Sequence, residues 1–252
     1  MKAHRKVIVS ALLLACASLS GRRAAAQEMS GDGFLFGAPK VSVSLRMGYA
    51  APSASSDLFS FVTRELSVRK GDFAGFTYGM DVAMPLRPRL ELVLSADINE
   101  SKTTSDYREW QDSQGLPIEQ TTSFARQSLA ANIRYYLRPY GRSLSRLAWV
   151  PTSYAPWVSA GIGRTHYRFH QTGDFVDFAN NNSVFPDTYS SSAWGFTPQV
   201  AAGVDWTLSQ RVALTTQARY LWGKADLGSD FSLFNPIDLS GLGLTGGLTI
   251  RF

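Results

Sequence analysis

A strict alternation of apolar with small or polar residues constrains this chain more than any other feature. Every second position from Leu242 to Phe252 is apolar or glycine, and the positions between them are small or polar. A period of two is that of a β-strand with two unlike faces. Chain ends usually fray in water, whereas a barrel needs its last strand to close against its first. We therefore expect this strand to close a barrel.

Seven earlier segments alternate in the same way, and long and short connections separate them mostly in turn. The predicted strands cover residues 41–49, 75–86, 90–98, 126–137, 156–169, 196–206 and 212–222, and the long polar connections cover 50–74, 99–122, 171–193 and 224–237. Even strand counts, with short turns on one side and long loops on the other, are typical of membrane barrels. The sequence therefore predicts an all-β fold: an eight-stranded antiparallel up-and-down transmembrane β-barrel with long extracellular loops.

The fifth strand has an uncertain register in the sequence. Val158 and Ile162 suit an apolar face, but the same parity continues to Arg164, His166 and Arg168. Two explanations remain open. Either that end of the strand has left the membrane, or a β-bulge exchanges the two faces.

The N-terminal segment has the features of a secretory signal peptide. Basic residues precede an apolar run at residues 7–19, and three alanines precede a cleavage site at Gln27. We expect a signal peptide at residues 1–26, a short lead-in at 27–39 and the barrel at 40–252. Five of the 25 basic residues lie in the leader, so the rest of the chain has 20 basic and 20 acidic residues. The basic balance therefore indicates no nucleic-acid partner.

The identity of the polar face distinguishes a membrane barrel from a soluble one. A soluble eight-stranded barrel of the calycin type also alternates, but it buries its apolar face and exposes its charges. In this chain one face of the strands carries the charges, and the other face is apolar and carries almost none. If that apolar face formed a continuous belt exposed to water, the protein would aggregate. Aromatic residues near the strand ends, where membrane interfaces are expected, support the membrane alternative. The predicted inward charges are Arg46, Asp81, Glu91, Asp97, Arg126, Arg134, Asp205, Arg219 and Arg251.

These five arginines and four acids are close to electrical balance, and an eight-stranded barrel is just wide enough for side chains to fill. We expect them to form a lumen ion-pair network that plugs the barrel, because an unpaired buried charge costs several kcal/mol. The alternative is a narrow channel for small solutes, in which the same residues line an ion path.

Taken together, the leader, the eight strands and the final Gly247 to Phe252 resemble the small outer-membrane barrel families of the OmpA and OmpW types. The resemblance covers about residues 40–252. It implies the bacterial outer membrane as location, outer-membrane lipid as surroundings, and the barrel-assembly machinery as a partner through the C-terminal strand ending at Phe252. It also implies a structural, adhesive or narrow-pore role, and it carries over no periplasmic domain.

The sequence gives little sign of chemistry. We expect no enzyme, no cofactor and no metal, since no motif has the spacing of a known catalytic or metal site. A lipid-modifying outer-membrane enzyme is the least favoured alternative. An extracellular ligand at the loops is possible in this fold. Two loops carry similar Phe-rich segments at residues 57–61 and 230–234, which we expect to pack against the barrel mouth rather than to touch lipid or a partner.

Overall fold

The computed structural model describes residues 34–111, 114–145, 148–177 and 183–252. The predicted signal peptide at residues 1–26 and the first part of the lead-in lie outside the described residues. Among the residues that are described, no helix is long and apolar enough to cross a membrane.

Eight long strands dominate the structure. They are β1 (Ser42–Pro52), β2 (Gly75–Arg87), β3 (Leu90–Gln111), β4 (Pro117–Tyr136), β5 (Tyr154–Asp177), β6 (Ser183–Thr207), β7 (Val212–Leu221) and β8 (Gly241–Arg251). Shorter elements occupy the connections: the helix α1 (Asp57–Glu65), 3-10 turns at Lys70–Phe73 and Ser229–Phe231, a ribbon of Gly141–Ser143 with Trp149–Pro151, and a pair of Lys224–Ala225 with Ile237–Asp238.

The eight strands form a closed antiparallel ring in chain order. Each strand pairs with the next, and β8 returns to β1 through a ladder that runs from Ser42 opposite Arg251 to Pro52 opposite Gly241. Within the ring each strand is paired on both sides, which is the condition for a sheet to lie in lipid. The predicted eight-stranded barrel is confirmed.

The structure differs from the sequence expectation in two of the long connections. Most of residues 99–122 and 171–193 continue the strands, so that β3, β5 and β6 reach 22, 24 and 25 residues. At about 3.3 Å per residue these strands are far longer than a membrane requires. The serine- and threonine-rich extensions have no apolar face, which is why they read as loops. They form a four-stranded wall beyond one end of the barrel, called the outer end below.

The fifth strand keeps one register along its length. Its pairing with β4 runs unbroken from Trp157 to Gly173, and its pairing with β6 runs unbroken from Tyr154 to Asp177. Arg164 and Arg168 therefore share the outward face of Val158. The second explanation is wrong, because no bulge interrupts the pairing, and the strand extends past the apolar belt with its two faces unchanged.

An apolar core, the cap, closes the barrel at its outer end. Phe59 of α1 lies at its centre, with ring-to-ring distances of 4.9 Å to Phe73, 5.3 Å to Phe124 and 5.9 Å to Phe169. The connection between β7 and β8 adds Phe231, and the packing predicted for both Phe-rich segments is confirmed. The cap comprises Ala54, Leu58, Phe59, Val62, Leu66, Val68, Phe73, Phe124, Tyr167, Phe169, Ala225, Phe231, Ile237 and Leu239.

Replacing Phe59 with Ala should lower the free energy of unfolding by about 3–5 kcal/mol, because a fully buried aromatic leaves a cavity when it is truncated. Leu233 provides the matched control. It lies in the cap's β7–β8 connection but is 97% exposed, so Leu233→Ala should change the same quantity by about 0.5 kcal/mol or less. Urea unfolding of the refolded protein in lipid vesicles measures both. Similar effects of the two substitutions would contradict a packed cap.

Candidate functional site in the barrel lumen

Neighbouring residues of β1 show how the barrel sorts its side chains. Arg46 is 4% exposed and points inward, whereas the adjacent Leu45 is 65% exposed and points outward. Successive side chains of a strand face opposite sides, so this difference extends along each strand. Eight of the nine predicted inward charges are buried, and Arg219 is nearly so, with 11% of its side chain exposed.

Six ion-paired residues form a charged layer across the lumen: Arg46, Asp81, Glu91, Asp97, Arg134 and Arg219. Arg46 lies at the centre of this layer. Its Nε donates to Oδ2 of Asp81 at 2.8 Å, and its Nη2 donates to Oδ1 of the same carboxylate at 2.7 Å. Nη2 also reaches Oδ1 of Asp97 at 3.1 Å, and the other oxygen of Asp97 accepts from Nη1 of Arg219 at 2.5 Å. Two arginines and two aspartates thus alternate in one chain of ion pairs, and the two-point contact fixes the geometry of Arg46.

Arg134 extends this chain towards the opposite, inner end of the barrel. Its Nη2 lies 3.7 Å from Oδ2 of Asp81, and its Nη1 lies 3.5 Å from Oε2 of Glu91. The guanidinium carbon stands 4.2 Å from the centre of the Trp157 ring, in the position of a cation–π contact. Several weaker attractions therefore replace one short ion pair at this arginine.

Asp205 has neutral partners where the sequence suggested charged ones. The hydroxyl of Tyr136 donates to Oδ2 at 2.7 Å, and Oδ1 accepts from Trp157 Nε1 at 3.1 Å and from Thr215 Oγ1 at 2.9 Å. Three donors, from β4, β5 and β7, satisfy one buried carboxylate.

Two predicted network arginines also use neutral acceptors. Arg126 donates to Oδ1 of Asn99 and to the carbonyl oxygen of Leu239, each at 3.0 Å. Arg251 donates to Thr207 at 3.4 Å and faces the ring of Trp149 at 5.8 Å. The geometry therefore brings Arg46, Asp81, Asp97, Arg219, Arg134 and Glu91 into ion pairs, and it places Arg126, Arg251 and Asp205 in hydrogen-bonded positions beside them.

An aromatic layer closes the inner end of the barrel. Tyr140 lies 4.8 Å from the ring of Tyr136 and 5.7 Å from that of Trp149. Leu35, from the segment before β1, packs against this group. Burial, and then the nearby carboxylate of Glu91, raises the pKa of Tyr140 to about 12.

Two small gaps lie between these layers. One gap, of about 30 Å³, lies beside Arg126 and Arg219, and another, of about 10 Å³, lies beside Glu91 and Asp205. One water needs about 10–15 Å³ of such volume. The cap, the charged layer and the aromatic layer thus fill the lumen in sequence from the outer end to the inner end.

Sequence reasoning missed several of the lumen's polar partners and the aromatic layer, and of the cap it foresaw only the packing of the phenylalanines. Tyr136 and Trp157 follow the parity of Arg134 and Ser159, so alternation alone could have placed them inside. Tyr140, Trp149 and Phe59 lie in connections, where strand parity gives no information.

Two carboxylates tie the outer connections to each other. Asp57 Oδ2 accepts from the backbone N–H of Asn235 at 3.0 Å and from its side-chain amide at 2.9 Å. The backbone bond is the larger cause that holds the pKa of Asp57 below its usual value. Burial opposes the ionisation of Asp238, but hydrogen bonds from Ser55 and Ser240 outweigh it and lower the pKa of that carboxyl as well.

The chain matches no known family model and no curated protein in sequence. Its fold is similar to that of Neisserial surface protein A, at 15% identity and a TM-score of 0.49 over 86% of this chain and 99% of that one. It is also similar to the outer membrane protein OprG from Pseudomonas aeruginosa, at 12% identity and a TM-score of 0.46 over 86% and 98%. Likenesses this distant concern the course of the backbone and say nothing of function.

Asp81→Asn should lower the free energy of unfolding by about 3–5 kcal/mol, because it removes the charge that compensates the buried Arg46. The exposed pair of Arg64 and Glu65 offers a control, with 70% and 26% of the side chains exposed. Glu65→Gln should cost about 1 kcal/mol or less. Urea unfolding in vesicles compares them, and equal costs would show that the lumen pairs contribute no more than surface pairs do.

Acid should loosen the tie between α1 and the β7–β8 connection. A carboxyl whose pKa is lowered by folding stabilises the folded state above its unfolded pKa, about 3.9, and loses this contribution as the pH falls through the lower folded value. The protection of the Asn235 backbone amide against hydrogen exchange, taken relative to the intrinsic rate at each pH, should therefore fall below about pH 4 in the wild type. Asp57→Asn should show lower protection at neutral pH and little further change in acid. Wild-type protection with no such acid dependence would contradict the role of Asp57.

Proposed function

We propose that this protein is an integral outer-membrane β-barrel with a structural or surface-interaction role and a filled lumen. The inverted distribution of side chains is the observation that carries the proposal: charged residues lie inside, and Leu45, Leu94, Leu129 and Leu248 are about half-exposed or more on the outside. In water such a surface would aggregate. In a bilayer it is the required lipid-facing belt.

The dimensions of the outward face agree with a membrane. Aromatic residues mark its inner edge, where the rings of Tyr154 and Trp206 lie 5.9 Å apart. Its outer edge carries a second aromatic group with Tyr220 and Trp222 at 4.8 Å. On β5 ten residues separate Tyr154 from Arg164, and at about 3.3 Å per residue and about 40° of tilt they span about 25 Å. That is the height of the apolar band of a typical outer-membrane barrel.

The filled lumen favours a surface role over the narrow channel. A permeating ion would have to cross the aromatic layer, the ion-paired layer and the cap in turn. Opening any of these would separate buried charges or expose buried rings. We therefore place the activity, which is binding or support rather than catalysis, outside the lumen.

The outer wall is the part best suited to contact other molecules. The hairpins of β3 with β4 and of β5 with β6 extend beyond the belt, and the cap stiffens their concave side through Phe124 and Phe169. A stiff platform presents a binding surface at low entropic cost. Within this proposal the barrel-assembly machinery recognises β8, outer-membrane lipid surrounds the belt, and an extracellular ligand of unknown identity binds the wall.

A protease site inserted at Gly115, in the turn between β3 and β4, should be cleaved in intact cells, because the proposal places this turn outside. The matched control is the same site inserted at Pro88, in the short turn between β2 and β3, which should be cleaved only after the outer membrane is permeabilised. Immunoblotting of the fragments reads both. Cleavage at Pro88 alone in intact cells would mean that the barrel has the opposite orientation in the membrane. Cleavage at neither site in a folded protein would contradict the exposure of the β3–β4 turn on the cell surface.

The refolded protein should migrate differently in gels with and without boiling, and it should show no steady conductance in a planar bilayer. A closed barrel resists detergent unfolding, and the filled lumen offers no ion path. Sustained openings that change with Arg134→Ala or Asp97→Ala would favour the channel. No mobility shift, together with solubility in plain buffer, would contradict the membrane location.

A further inference from the structure

The outward face of β5 carries a basic stripe just beyond the apolar belt. Arg164, His166, Arg168 and His170 follow one another at every second position, and the residues between them, among them Tyr167, are buried on the inward face. The arginines, four residues apart, stand about 13 Å from each other. Because alternate residues of a strand share one face, these four side chains form one continuous row of hydrogen-bond donors.

The two neighbouring strands place no acid directly beside this stripe. Arg164 lies between Leu129 of β4 and Phe196 of β6, and Arg168 lies between Ala125 and Ser192. The histidines face Gln127 and Ser123 of β4, and Trp194 and Ser190 of β6. The ring of Trp194 lies 5.1 Å from that of His166. Glu100 of β3 shares a row with Arg168 across Ala125 and is the acid facing the stripe from the next strand.

An apolar groove meets the stripe at Arg164. Leu94, Leu129, Ala131, Ile162 and Phe196 line it, and Arg164 stands at its outer edge. The groove has a volume of about 730 Å³, which lies within the usual range for sites that bind small molecules. Small residues between larger ones leave this depression, and a second one of about 450 Å³ lies on β6, β7 and β8, away from the stripe.

We infer that this groove and the basic stripe together bind one phosphorylated, multiply acylated lipid of the outer leaflet. An acyl chain lies in the groove, where it buries apolar surface on both partners. The headgroup phosphate then stands at the level of Arg164 and Arg168, because their guanidinium groups begin where the belt ends. Arginine recognises phosphate through paired N–H donors, and weak hydration suits it to an interface. The inference rests on the proposed outer-membrane location.

Native mass spectrometry of the refolded full chain tests the inference with three probes: diphosphoryl lipid A, the same lipid after dephosphorylation, and inorganic phosphate. The wild type should retain one phosphorylated lipid and at least about tenfold less of the dephosphorylated form, since two charge-assisted contacts are lost. Inorganic phosphate alone should not be retained, because it cannot use the groove. Equal retention of both lipids, or displacement of the lipid by inorganic phosphate, would overturn the inference.

Arg164→Gln with Arg168→Gln should reduce retention of the phosphorylated lipid by at least about tenfold and leave the dephosphorylated form unchanged. Arg87→Gln with Arg89→Gln removes two exposed arginines at the inner turn and should change neither. Ala131→Trp, which fills the groove, should reduce retention of both lipids. Equal losses in the two arginine pairs would overturn the inference.

Heat-dependent gel mobility, measured for the wild type and each variant, distinguishes failure of the lipid site from failure of the proposed outer-membrane location. A wild type that inserts into vesicles and shifts in mobility, but retains both lipids equally, refutes the lipid site and leaves the outer-membrane location standing. A wild type that neither inserts nor shifts refutes the outer-membrane location itself.

Discussion

Charge neutralisation inside a closed ring of strands is the constraint on which the rest of this structure depends. An eight-stranded barrel has too little interior space for bulk water, so its inward charges must find partners among themselves. The double contact of Arg46 with Asp81, shared onward through Asp97 to Arg219, meets this requirement across β1, β2, β3 and β7. Neutral groups such as Asn99 and Tyr136 hydrogen-bond the charges that this chain does not reach.

The layers on either side of the charged centre depend on it in turn. At the inner end, Tyr136 and Trp157 belong both to the polar network, through Asp205, and to the aromatic plug. At the outer end, Arg126 donates to the carbonyl oxygen of Leu239, which is part of the cap. Each apolar layer is therefore joined to the charged layer by a hydrogen bond, and the filling of the barrel is continuous rather than three separate plugs.

Alternation let the sequence predict the strand count, the closure and the face of every network residue, because side-chain parity in a strand is a local property. It could not predict which charges would meet. Asp205 was expected in an ion pair and instead accepts from three neutral donors, one of which, Thr215, lies directly opposite it on β7. The wall beyond the belt was also missed, since its threonine-rich strands lack an apolar face. The cap was foreseen only as packed phenylalanines, because connections carry no period from which contacts can be inferred.

The position of the cap has a mechanical consequence. Its residues come from the connection after β1, with Leu58, and from the one before β8, with Ile237, so it bridges the junction at which the first and last strands meet. That junction is the place where a barrel formed from one chain must be sealed last, and the place where it could be pried apart. Leu58 and Ile237 hold this junction closed at its outer end, because β1 and β8 cannot separate there until the apolar packing of the cap is lost.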